Sequence, residues 1–117
     1  MITERRLGRR RYPRYSTDKP MQAQIYWWDH IANHVRGRMR QFGEGGMGAL
    51  MTDQLAVGQI ISVTLAHNLT VYAAVRYMRG YHHGFEFVMV TDRQREGIRQ
   101  ICQSLVPRRK TEVSALN

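Results

Sequence analysis

Between residues 21 and 28 the chain alternates. Met21, Ala23, Ile25 and Trp27 share one face and Gln22, Gln24, Tyr26 and Trp28 the other, the period of a strand with one buried side, ending at Asp29-His30. Residues 35–40 alternate again, with Val35, Gly37 and Met39 opposed to Arg36, Arg38 and Arg40, which predicts a strand with one arginine-lined face. Gly43-Glu44-Gly45-Gly46 interrupts the pattern and predicts a turn, because glycine adopts positive φ freely. A short strand follows over residues 47–51. Residues 59–65 form the next, with Ile61, Val63 and Leu65 inward, and residues 66–69 turn it. Residues 70–77 return with Val71, Ala73, Val75 and Tyr77 on one face, Gly80 marks another turn, and the last strand places Phe85, Phe87 and Met89 inward. About six short strands joined by short turns predict a mainly β fold, a closed six-stranded antiparallel barrel, since closure leaves no sticky edge.

The period then changes. Thr91-Asp92-Arg93-Gln94 fits a capping box, with Thr91 as N-cap and Gln94 reaching back. Ile98, Ile101, Cys102 and Leu105 follow at helical spacing, and Pro107 ends the helix. Gly97 weakens it by roughly 1 kcal/mol relative to alanine. With 117 residues, one domain is expected: a flexible basic arm over residues 1–8, a barrel with a C-terminal helix over 9–106, and a disordered tail over 107–117.

Hydrophobic residues at 43% and charged residues at 23% are ordinary for a globular chain. There is no apolar run of about 18 residues to span a membrane, and the N-terminus lacks the apolar stretch of a secretory signal. Together with a single cysteine, this points to the cytoplasm. Asn68-Leu69-Thr70 matches a glycosylation sequon, read as chance in that setting. The net charge of +9 favours anionic partners, and it is uneven: Arg5, Arg6, Arg9, Arg10, Arg11 and Arg14 face Glu4 alone. A solvated tail is the bland explanation of such a run.

Catalytic chemistry finds little footing. The nine acidic residues show no telling pair. His82 and His83, adjacent on a strand, point to opposite faces and make a poor metal pair, with no third ligand at a usual spacing. Cys102 lies on the apolar face of the helix, where a structural thiol fits better than a nucleophile. The chain is therefore expected to be no enzyme and to need no metal or cofactor. Trp27 suits the core, while Trp28 suits either the surface or stacking on a base.

The arginine cluster has internal order. Arg10 and Arg14 bracket Arg11-Tyr12-Pro13, and the proline fixes φ and biases its neighbour toward extended geometry. Two guanidinium forks held near each other grip phosphates or the O6/N7 edge of guanine bidentately. Arg10-x-x-x-Arg14, a following strand and a glycine-rich turn roughly thirty residues on resemble the PilZ domain, a family of bacterial receptors for cyclic di-GMP. The resemblance takes in Gly45-Gly46-Met47-Gly48, Gly84-Phe85-Glu86-Phe87 and the capped helix at Thr91, over about residues 9–106.

The resemblance implies a six-stranded split barrel with a C-terminal helix. It also implies that Arg10 and Arg14, on an N-terminal segment that wraps over the ligand, contact phosphates and guanine edges. Arg9, directly before that motif, implies an intercalated pair of ligand molecules. The family's second motif, Asp/Asn-x-Ser-x-x-Gly, reads here as Gln41-Phe42-Gly43-Glu44-Gly45-Gly46, so only Gly46 matches. Gln41 keeps an amide, Gly43 has no hydroxyl, and each missing hydrogen bond costs on the order of 1 kcal/mol. Glu44 adds a charge that repels phosphate.

The expected ligand site is thus Arg9, Arg10 and Arg14 opposite Gln41, Gly43 and Gly46, with Arg38 or Arg40 adding to the basic field. Cyclic di-GMP is the expected ligand, ordering of the arm the signal, and a downstream protein the partner, with outputs such as motility or exopolysaccharide synthesis. Two alternatives stand beside this: an interaction adaptor on the same fold that binds no ligand, and a nucleic-acid-binding barrel drawing on the charge, Tyr26, Trp28 and Arg108-Arg109-Lys110.

Overall fold

The structure is a computed structural model that describes residues 12–27 and 30–106, without the side chains of residues 27 and 30–33. The alternating segments form six strands: β1 (Arg14–Trp27), β2 (His30–Gly43), β3 (Gly46–Met51), β4 (Ile60–Leu65), β5 (Leu69–Arg79) and β6 (His82–Val88). They close in the order β1-β2-β3-β6-β5-β4 with every pairing antiparallel. A 3-10 turn over Ala66–Asn68 links β4 to β5. Helix α1 (Asp92–Leu105) follows the last strand.

The inward positions read from the sequence fill the barrel. Met21, Ala23, Ile25, Val35, Met39, Ile61, Val63, Leu65, Val71, Ala73, Val75, Phe85 and Phe87 are all buried. Phe42 and Met47 join them from either side of the glycine turn, fully enclosed, with the Phe42 ring 5.6 Å from that of Phe87. Helix α1 adds Ile98 and Cys102 to the same core. Its start is as the sequence predicted: the Thr91 hydroxyl accepts from Gln94 N–H at 3.1 Å, and Thr91 N–H donates to Gln94 Oε1 at 2.8 Å. A β-carbon on Gly97 would stand 2.8 Å from Leu69 Cδ2, the end of a side chain that can turn aside.

Four expectations need correction. The first two strands are not short, at 14 residues each. A register shift between Ser16 and Lys19 hides the period of the first half of β1. Pro20 lies in this same stretch opposite Arg38 of β2, and β1 pairs with β4 only over Ala23–Ile25, so the other edge of β1 is unpaired at the proline. Tyr77 is not inward: a register shift between Val75 and Tyr77 turns it out to 45% exposure, where its ring covers Gly84. Met89 lies past the end of β6 with φ of 54° and is exposed. Finally, the glycines at 43–46 are not at positive φ, which among the described glycines belongs to Gly58 and Gly80. They are needed for close approach, as the site shows. The arm at 1–8, the tail at 107–117 and Trp28 lie outside the described residues.

Candidate ligand-binding site

The register of β1 against β2 builds the site. Arg14 opens β1 directly opposite Gly43, the last residue of β2, and Ser16 lies opposite Gln41. A β-carbon on Gly43 would fall 2.5 Å from the Pro13 carbonyl oxygen and 3.1 Å from Arg14 Cδ, so the backbone before β1 and the Arg14 side chain rest where that side chain would be. Gly45 repeats the arrangement, its absent β-carbon lying 3.2 Å from the Tyr12 ring. The segment bearing the second arginine is therefore laid along the glycine turn. Arg9 and Arg10 lie outside the described residues.

Across the outer surface the floor stays low. Gly48 pairs with both Gln41 and Gly84. The Gln41 amide oxygen lies over Gly48, 3.5 Å from where its β-carbon would be. Ser16, Thr17, Arg40, Gln41, Leu50 and His82 line an open recess of about 430 Å³ beside this floor. Gly46 serves differently. It is buried and pairs with Glu86, and a β-carbon there would run into the Phe85 carbonyl oxygen. Its place in the site is to let β3 lie tight against β6 rather than to offer a surface.

Arg36, Arg38 and Arg40 are all exposed on the outer face of β2, as the alternation predicted. Arg38 Nε meets Asp18 at 2.7 Å, and that bond, the Arg38 charge and then Arg40 hold the Asp18 carboxyl below its usual range. Arg40 lines the recess, and Arg38 is tied to Asp18. Glu44, between Gly43 and Gly45, points to α1, with Oε1 3.5 Å from Arg99 Nε. The turn backbone is pinned as well, since the Phe87 N–H donates to the Gly45 carbonyl at 2.9 Å.

His83 and Cys102 are held in the core. His83 is fully buried, donating from Nδ1 to the Tyr81 carbonyl at 2.8 Å and accepting at Nε2 from the Leu55 N–H at 2.9 Å, which occupies both nitrogens. Burial, then the charge of Glu44, pushes the Cys102 thiol up to about 11. No three His, Cys, Asp or Glu side chains gather as a metal site among the described residues, and no helix among them is long and apolar enough to cross a membrane.

Of the six residues expected from the sequence, Arg14, Gly43 and Gln41 meet on one outward face, with Gly46 beneath it. Ser16, Gly48, His82 and Tyr12 were missed. The signal for Ser16 was available once Arg14 was set against the glycine turn, because an antiparallel register brings each step on β1 opposite a step back on β2.

Comparison with known proteins places the chain among similar folds. The family model described as the PilZ domain matches residues 8–104. The PilZ domain of YcgR from Escherichia coli with c-di-GMP is 24% identical, with a TM-score of 0.64, over 92% of this chain and 97% of that one. The longer YcgR in complex with c-di-GMP, also from Escherichia coli, is 24% identical with a TM-score of 0.66 over 93% of this chain, which spans 51% of that protein. The PilZ domain of CeSA from a cellulose-synthesizing bacterium is 15% identical with a TM-score of 0.63, over 80% of this chain and 97% of that one. No curated protein matches the sequence.

Proposed function

Since the chain belongs to the PilZ domain family, we propose that it is a non-catalytic receptor for cyclic di-GMP. The carrying observation is Arg14 lying over Gly43, which puts the guanidinium at the start of β1 and the Gln41 amide on the same low floor. Cyclic di-GMP offers two phosphates for charge and two guanines for bidentate pairing. Arg9, Arg10 and Arg14 supply the forks from the arm side, and Gln41 and Gly43, held by Gly46, form the opposing surface. Ser16, across the ladder from Gln41, brings a hydroxyl to a motif whose own serine place is Gly43. Closure of the arm over the ligand is the relay, since it creates a surface for a downstream protein.

One observation favours a second reading. Gly43 and Glu44 remove a hydroxyl and add a charge where an anion must bind, and a chain of the same family that serves as an adaptor without ligand would tolerate both.

Isothermal titration with cyclic di-GMP separates the two. The receptor reading expects saturation for the wild type and a loss of at least about tenfold in affinity for Arg14→Ala, because a charged hydrogen bond is worth roughly 1.5–3 kcal/mol. Absence of wild-type binding at about 100 μM ligand, corresponding to less than roughly 6 kcal/mol of binding free energy, overturns it.

A further inference from the structure

Glu44 occupies the two-residue turn between Gly43, on which Arg14 rests, and Gly46. A carboxylate at such a place repels an incoming dianion, so a functioning site needs that charge compensated and directed away. Three observations show where it goes. The Glu44 side chain is only 23% exposed, and its Oε1 lies 3.5 Å from Arg99 Nε on α1. Arg99 is itself oriented, because its Nη1 donates to Glu96 Oε1 at 3.0 Å one helical turn before it. Cys102, three residues on from Arg99 on the same helix, is buried, and the Glu44 charge adds to burial in raising its thiol. The backbone of the turn is fixed separately by the bond from Phe87 to Gly45, so Arg99 governs the direction of the side chain alone.

We propose that Arg99 is a positioning residue for the ligand site: it holds the Glu44 carboxylate against α1 and offsets its charge, keeping it away from a phosphate bound at Arg14. This rests on the receptor reading above. Arg99 replaces, by compensation, what the turn lacks in design: the acidic residue stays, and the helix cancels it. Because binding is reciprocal, a bound ligand makes the Glu44–Arg99 pair more favourable by the same factor.

The test is calorimetric titration of cyclic di-GMP into the wild type, Arg99→Ala, Arg99→Lys, Glu44→Gln and the Glu44→Gln/Arg99→Ala pair, at low and high salt. Arg99→Ala is expected to weaken binding by about tenfold or more, since the Glu44 charge on the turn is then uncompensated. Arg99→Lys keeps most of the affinity. Glu44→Gln binds at least as tightly as the wild type, and the double variant returns to the level of Glu44→Gln, which a merely structural role for Arg99 does not produce. High salt narrows the differences. Arg99 is half-exposed, and Arg99→Gln, which keeps the aliphatic stem, serves where alanine loosens the helix. Wild-type affinity in Arg99→Ala and Arg99→Gln, or a double variant as weak as Arg99→Ala, overturns the proposal alone. A wild type that binds nothing overturns the receptor reading and this proposal with it.

Discussion

Gln41 shows how far a single residue can be read from sequence. Its amide was expected at the ligand surface from its place in the second motif, and the structure sets it outward over Gly48, across from Ser16. The family's shorter acidic or amide side chain at this place orders fewer torsions. Gln41→Asp is therefore expected to tighten cyclic di-GMP binding, by calorimetry, and unchanged affinity would remove position 41 from the contacts. Gly43 was legible as important but not for its reason. Positive φ is a local property, whereas the need at Gly43 comes from Pro13 and Arg14, thirty residues earlier in the chain, lying on its α-carbon. Cys102 was legible as structural because helical spacing alone puts it beside Ile98. Its thiol holds its proton to about 11, against an ordinary value of 9.0. The unfolded thiol releases its proton first, so this contribution to stability is complete below pH 9 and lost as the pH rises toward 11. A thiol reagent at pH 8 is accordingly expected to label the native protein far more slowly than the urea-unfolded one, and equal rates would place the thiol outside the core.

Among the elements, those fixed by near neighbours were the most legible. Helix α1 starts at Thr91 because both halves of the capping box lie within four residues, and its buried face follows from a 3.6-residue period. The strands were found by alternation, and they failed where a register shift breaks it: before Lys19, and between Val75 and Tyr77. A bulge depends on the partner strand, which sequence order does not reveal. The β2–β3 turn carries the sharpest expectation at this scale. Gly46 faces the Phe85 carbonyl with no room for a methyl group. Gly46→Ala is expected to cost about 1–3 kcal/mol in urea unfolding, as overpacking does elsewhere, because β3 must shift off β6. A variant within about 0.5 kcal/mol of the wild type, the range of an ordinary surface change, would show that the turn is not held by this approach.

For the whole molecule, barrel closure follows from six alternating segments, but the strand order and the uneven lengths do not, since they depend on pairings between distant segments. The account holds that arginines at the entry to β1, with Arg14 resting on Gly43 at one face of a closed barrel, grip a guanine dinucleotide. Amide chemical-shift mapping during titration with cyclic di-GMP tests it most directly. The account expects saturable shifts concentrated at Arg14, Ser16, residues 41–46 and Gly48, with Ser62 and Thr64 on β4 nearly still. Shifts that are absent, or that gather on β4 and leave the glycine turn unmoved, would contradict it.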